Sequence, residues 1–284
     1  MYLQHFRLRN YPFTLTPNTQ FFFDAGDHHD ALNVLRVALQ SGEGFIKVVG
    51  EVGTGKTILC RKLLNELEKK FATIYVPNPF LTPTGLILAV AEELGLGDLS
   101  SIDRHALLKK ITYRLVELHR AGTRVVLLVD EAQSLPDASI ETLRLLTNLE
   151  TETQKLLQVV LFGQPELDQR LKQPLLRPLR QRISFAARLA PMNRSRMRAY
   201  VLHRLAMAGY AGDALFTSVA LNELYRASSG VPRVVNILCH KAMMAAYGRG
   251  ERQIGRKHVQ RAVADSRSLV TVRPLSRLLS GIWS

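Results

Sequence analysis

The sequence predicts an α/β protein: a doubly wound, parallel, five-stranded sheet followed by a small all-α unit. Three observations predict it. Up to Leu189, short β-rich apolar runs alternate with helical patterns, as in a parallel sheet covered on both faces. The first run leads into Gly50-Glu51-Val52-Gly53-Thr54-Gly55-Lys56-Thr57, the phosphate-loop pattern G-x-x-x-x-G-K-T, and a helical pattern follows at once. From Ser195 the strands stop and four helical patterns follow.

Residues 1–30 are aromatic-rich and carry turn residues, with Tyr11-Pro12-Phe13, Thr16-Pro17-Asn18 and Phe21-Phe22-Phe23. Left as a free tail, this segment would waste apolar surface. It is expected to lie across the pocket beside the phosphate loop or along the sheet edge. Ala31–Gln40 reads as an amphipathic helix with Ala31, Leu32, Leu35 and Leu39 on one side and Asp30 as its N-cap. Phe45-Ile46-Lys47-Val48-Val49 is the first strand. Ile58–Lys70 is the helix after the loop, with Leu59, Leu63, Leu64 and Leu67 at helical spacing. Thr73–Val76 is a second strand, ended by Pro77 and Pro79. Thr84–Leu94 and Ile102–Arg120 read as helices, stopped at Gly95 and Gly122. Val125-Val126-Leu127-Leu128-Val129 is apolar throughout, as a strand buried on both faces must be. Ala138–Leu149 is helical, Gln158–Phe162 is the fourth strand, and Glu166–Arg182 is a helix broken near Pro174 and Pro178. Ile183–Leu189 is the fifth strand. Ser195–Gly209, Phe216–Ser228, Val231–Tyr247 and Gly255–Ser266 form the helical part. The organisation is therefore an N-terminal segment 1–30, a sheet domain 31–190, a helical lid 191–266 and a tail 267–284. The tail mixes Leu275, Leu278, Ile282 and Trp283 with Arg273 and Arg277; a packed tail, a partner-binding helix and an interfacial anchor all fit.

At 284 residues the chain makes one large domain or two modest ones. It has no run of about eighteen apolar residues, so no transmembrane helix is expected. Its first residues lack the apolar core of a signal peptide. The cysteines, Cys60 and Cys239, both sit in helical patterns, which fits a reducing compartment rather than a disulfide framework. The eight histidines show no metal-ligand spacing, and no Cys or acidic cluster completes a zinc site around His28-His29. Charge is distributed unevenly. Residues 1–169 carry 17 Lys and Arg against 20 Asp and Glu, a net of −3; residues 170–284 carry 21 against 4, a net of +17. The basic part suits a polyanion partner, be it nucleic acid, an acidic membrane face or an acidic protein.

The motifs carry phosphate chemistry. Gly53 and Gly55 let the backbone turn tightly around an anion. The backbone from Gly50 through Glu51, Val52, Gly53, Thr54, Gly55, Lys56 and Thr57 to Ile58 would cradle the phosphates of ATP, helped by the positive end of the new helix. Lys56 would reach the β- and γ-phosphates, and the Thr57 hydroxyl would hold Mg²⁺. Asp130-Glu131 ends the third strand, where ligands of open α/β sheets bind. Asp130 is placed for Mg²⁺ through water, and Glu131 to orient and deprotonate the attacking water. Gln164, just past the fourth strand, is placed to touch the γ-phosphate or that water. Arg177, Arg180 and Arg182 crowd the end of the next helix; Arg182, then Arg180, is the best candidate for an arginine supplied to a neighbouring subunit. Arg233 follows Pro232 at a helix start and would reach back to the phosphates.

GEVGTGKT, LLVDEAQ, LFGQPEL, LRQRI and GVPRVVN, in that order and spacing, resemble the AAA+ ATPases, over Ala31 to about Ser266. The resemblance implies a five-stranded P-loop sheet domain with a helical lid, Arg182 as arginine finger, Gln164 as first sensor and Arg233 as second sensor. Gln departs from the commoner Asn, Ser or Thr at the first-sensor position. More narrowly, PFTLTPNTQFFF, HHDAL, GFIKVVGEVGTGKT, VDEAQSLP and GQPEL resemble the ExeA, or general secretion protein A, group. That group continues into a membrane span and a periplasmic peptidoglycan-binding region, and this chain ends at Ser284 without either. The departure points to the group's shorter branch, associated with biogenesis of the mannose-sensitive haemagglutinin (MSHA) type IV pilus. The resemblance implies a cytoplasmic, self-associating ATPase, in a ring or a nucleotide-dependent oligomer, serving pilus or secretion proteins of the inner membrane, with peripheral membrane contact open. Phe13 and Phe21 would lie against adenine. Two other readings stand beside it: a DNA-binding AAA+ protein such as a transposition regulator or junction motor, for which no base-reading motif is visible, and a nucleotide switch that does not hydrolyse.

Overall fold

The structure is a computed structural model describing residues 2–68, 70–77, 79–97, 103–150 and 154–266. The expectation for the tail 267–284 lies outside the described residues. The chain divides into two compact units, Pro17–Ala190 and Met1–Thr16 together with Pro191–Ser284. The aromatic N-terminal segment is thus shared between the units at Thr16 and Pro17.

The chain opens with one helical turn, α1 (Tyr2–His5), which belongs to the second unit. The sheet unit runs α2 (Asp27–Gln40), β1 (Phe45–Gly50), α3 (Lys56–Leu67), β2 (Phe71–Val76), α4 (Pro83–Glu93), α5 (Arg104–Arg120), β3 (Arg124–Val129), α6 (Asp137–Leu146), β4 (Leu157–Gly163), α7 (Pro165–Arg170), α8 (Arg177–Arg180) and β5 (Ile183–Leu189). The strand order is β2-β3-β4-β1-β5, every pair parallel.

Strand periodicity builds two cores from one sheet. Side chains alternate across a strand. Val125, Leu127 and Val129 of β3 therefore join Leu86, Ile87 and Val90 of α4, Leu107 and Ile111 of α5, and Leu143 of α6. Val126 and Leu128 point the other way, into Leu32, Leu35 and Leu39 of α2 and Leu59 and Leu63 of α3. In β4, Val159 and Leu161 serve the first core, and Val160 and Phe162 the second. Each such side chain contributes about 1.5–3 kcal/mol on burial, which is why these strands read as unbroken apolar runs.

Local rules set the helix ends. Asp103 caps α5, accepting from His105 N at 2.7 Å and Ala106 N at 3.0 Å. Thr82 Oγ1 caps α4 by accepting from Gly85 N at 3.1 Å. The start of α2 corrects the reading of Asp30 as a cap. The helix begins four residues earlier, after Gly26 at φ +55°, with no side-chain cap bond. Asp27 and Asp30 both lie in its first turn, where carboxylates face the positive helix end. The stretch read as one broken helix over 166–182 is three short pieces: α7, a 3₁₀ turn at Pro174–Leu176, and α8. Pro174 and Pro178 each fall at the start of a piece, where a missing N–H is tolerated.

The second unit packs α1 with α9 (Arg194–Met207), α10 (Ser218–Ser228), α11 (Pro232–Tyr247) and α12 (Arg256–Ala264). An isolated parallel bridge joins Phe216 to Ile254. Buried Arg204 donates from Nε to the Pro12 carbonyl at 2.6 Å. The Phe13 ring meets Phe216 edge-on, with centroids 6.2 Å apart. Gly230 is required in the turn before α11: its φ is +77°, and a Cβ there would fall 1.9 Å from the Met192 carbonyl oxygen. Among the described residues no helix is long and apolar enough to cross a membrane.

Candidate nucleotide site

Sheet order brings the motifs together. The loop after β1, the acid pair after β3 and Gln164 after β4 all leave the same end of a parallel sheet. Because β4 lies between β1 and β3, Gln164 falls between the other two. Crevices beyond strand C-termini are the usual ligand sites of such sheets.

The phosphate loop is held by its own backbone. Gly53 and Gly55 take φ of +80° and +99°, a region that L side chains enter at a cost. Gly50 has no room for a Cβ, which would lie 2.6 Å from Thr54 Oγ1. Thr54 is buried, and its hydroxyl donates to the Glu51 carbonyl at 2.8 Å. Lys56 is only 4% exposed, and its Nζ donates to the carbonyls of Gly50 at 2.8 Å and Glu51 at 3.1 Å. Burial pushes the Lys56 pKa below its ordinary value, while Glu131, Asp130, Glu51 and Glu166 pull it back up. A desolvated ammonium held by two carbonyls of the loop itself fits a polyphosphate. On the loop's outer side, Val52 is 58% exposed. Ile58 packs towards the α2–α3 core.

Asp130 is buried beyond β3, its N–H donating to the Val76 carbonyl at 3.0 Å. Burial raises its pKa, against hydrogen bonds from the Thr57 hydroxyl and the Glu131 N–H that lower it. A threonine hydroxyl bonded to a carboxylate is a hard-oxygen set of the kind Mg²⁺ takes, so the residues present fit that ion.

Glu131 sits at φ +50°, ψ +39°, a left-handed conformation uncommon outside glycine. Its Oε2 accepts from Gln133 Nε2 at 2.6 Å and from Gln164 Nε2 at 3.0 Å. Gln133 Oε1 in turn accepts from the Gln164 N–H at 3.0 Å. The Gln133 carbonyl accepts from Arg170 Nη1 at 2.6 Å, and Arg170 also pairs with Asp137. Burial would raise the Glu131 pKa, but the bonds from Gln164 and Gln133 and the Lys56 charge outweigh it, so the carboxyl lies below its usual range. The result is an ionised, fixed carboxylate beside the phosphate loop.

Arg182 is exposed and donates from Nη1 to Asn148 Oδ1; Arg177 and Arg180 are exposed in α8. Arg233 is exposed in the first turn of α11. Phe13 and Phe21 fall in different units, and both rings are buried, at 2% and 5% exposure. The sequence reading passed over Gln133 and Arg170 as site residues and weighed His28 only as a metal ligand. Gln133 stood in the open, two residues after Glu131 in the same motif. His28 and Arg170 carry no signal of their own, because their partners come from distant elements.

This sheet order, loop and acid pair define the α/β fold of the P-loop AAA+ class. Residues 39–171 match the family model described as AAA domain. Among curated proteins the chain is similar to general secretion pathway protein A of Aeromonas hydrophila, 45% identical over 259 residues. The match covers 89% of this chain and 46% of the relative, so the chain spans about half the relative's length. Solved structures share the fold. The Cdc6p protein of Pyrobaculum aerophilum is 17% identical with a TM-score of 0.68, over 89% of this chain and 70% of that one. The Aeropyrum pernix ORC2 protein, in ADPNP–ADP complexes, is 15% identical with a TM-score of 0.65, over 88% and 72%. The RuvB Holliday junction branch migration motor of Thermotoga maritima is 19% identical with a TM-score of 0.56, over 84% and 68%.

Proposed function

We propose that this protein hydrolyses ATP and couples the cycle to assembly or remodelling of a secretion or type IV pilus machine at the inner membrane. The observation that carries the hydrolytic half is Glu131, ionised and held by Gln133 and Gln164 beside Lys56. In this reading the loop amides and Lys56 bind and orient the phosphates. Thr57 and Asp130 hold Mg²⁺, which would neutralise phosphate charge when bound. Glu131 takes the proton of the attacking water, and Gln164 positions that water or the γ-phosphate. Arg182 serves as the finger given to a neighbouring subunit and Arg233 as the reporter of nucleotide state. A self-associating AAA+ ATPase follows.

The machine is inferred from likeness to general secretion pathway protein A. The narrower assignment, to the short MshM branch and the MSHA pilus, is what the sequence resemblance alone implies. A second reading, a DNA-translocating or DNA-regulating ATPase, is favoured by the net +17 of residues 170–284.

The test is ATPase rate against protein concentration, for wild type and Arg182→Ala, with and without duplex DNA. The proposal expects a rate that rises with concentration, collapses in the variant and ignores DNA. Strong DNA stimulation would favour the second reading. A flat rate indifferent to Arg182→Ala would sink the intersubunit finger and leave a monomeric switch.

A further inference from the structure

The mechanism above leaves the half-buried imidazole of His28 unused. His28 lies in the first turn of α2, within the unit that carries the phosphate loop. Its Nε2 is 2.9 Å from the carbonyl oxygen of Thr54, inside the loop. A carbonyl only accepts, so Nε2 carries the proton and donates. The Phe22 ring meets the imidazole edge-on, with centroids 6.1 Å apart. The imidazole also touches the next residue along. A Cβ on Gly55 would lie 2.7 Å from His28 Nε2. Gly55 is therefore bound to glycine twice, by its φ of +99° and by the imidazole against its α-carbon.

The Thr54–Gly55 peptide is planar, with its C=O and N–H pointing in opposite directions. Turning the Thr54 carbonyl towards α2 turns the Gly55 N–H away from it. That amide belongs to the group expected to cradle phosphate. Burial lowers the His28 pKa, with the Thr54 bond and the charges of Asp27 and Asp24 acting the other way, so the ring adds little positive charge of its own.

We propose that His28 is a positioning residue for the phosphate loop: its bond to the Thr54 carbonyl pre-sets the Gly55 amide, so that α2 governs affinity for the polyphosphate of a nucleotide. The inference rests on the nucleotide reading of the loop. It concerns the phosphates rather than the base, and this separates it from a direct contact with adenine.

The experiment measures equilibrium binding of Mg·ADP and of inorganic tripolyphosphate to the full chain as wild type, His28→Leu and His28→Gln, with thermal melting of each. One hydrogen bond lost from a pre-set loop corresponds to roughly five- to tenfold weaker binding. His28→Leu should lose that much for both ligands. His28→Gln, whose amide nitrogen can stand where Nε2 stood, should bind both within about threefold of wild type. Loss of ADP binding with tripolyphosphate unchanged would overturn the proposal in favour of a base contact. Wild-type affinity in His28→Leu would overturn it outright, as would a folded His28→Gln that binds no better than the leucine variant. If His28→Leu does not fold, His28→Ala, which also lacks the donor, takes its place in the same comparison. A wild-type protein that binds neither ligand would overturn the nucleotide reading itself, and this inference with it.

Discussion

Replacing Gln133 by alanine should slow ATP hydrolysis without loosening ATP. The substitution removes the 2.6 Å bond to Glu131 Oε2 and the acceptor for the Gln164 N–H at 3.0 Å. A hydrogen bond to a charged group contributes about 1.5–3 kcal/mol. Glu131 is partly open to solvent, which can replace some of that, so about 1–2 kcal/mol is the expected loss of transition-state stabilisation. That corresponds to roughly a 5- to 30-fold lower kcat. KM for ATP should move little, because neither lost bond belongs to the loop. The pH profile should move as well. In the proposed mechanism Glu131 acts in its ionised form, and its bonds hold the carboxyl below the usual range. Removing one raises its pKa, so the acid limb of kcat should shift to higher pH. Steady-state phosphate release, followed from the acid edge at about pH 3.5 up to pH 8, is the assay. An unchanged kcat, or a loss confined to KM with no shift of the acid limb, would refute the reasoning.

Three further outcomes follow from the same structure. Lys56→Met should abolish the nucleotide-induced rise in melting temperature yet leave the free protein as stable as wild type or more so, since it removes a buried, desolvated ammonium; differential scanning fluorimetry with and without Mg·ADP reads both. Leu35→Ala, at a site with no exposure in the α2–α3 core, should destabilise by about 2–5 kcal/mol in urea titration. Gly230→Ala should cost about 2–4 kcal/mol or more, because it puts a Cβ against the Met192 carbonyl at a positive φ, and circular dichroism melts will show it.

The sheet was legible because its physics is local. β3 and β4 must be apolar on both faces, and such runs stand out in a sequence. The phosphate loop was legible for a related reason, since each of its glycines answers a backbone demand that few other residues meet. Gln164 was placed from its position just past the apolar run of the fourth strand. Harder to read was whatever depended on distant partners. Asp30 looked like a cap because the apolar pattern begins at Ala31, whereas the helix starts at Asp27 on backbone geometry that leaves no sequence mark. The split of the aromatic segment turns on Arg204, which donates to the Pro12 carbonyl across 192 residues of sequence. His28 was considered only as half of an absent zinc pair; its bond to Thr54 needs α2 and the loop already folded.

The most direct test of the central claim, that Glu131 is the base of a P-loop ATPase, is single-turnover hydrolysis of γ-labelled ATP with Mg²⁺ by wild type and Glu131→Gln, with ATP affinity measured on the same samples. The account predicts that Glu131→Gln binds ATP as tightly as wild type and releases labelled phosphate at least about a hundredfold more slowly. Release at the wild-type rate by that variant would contradict it.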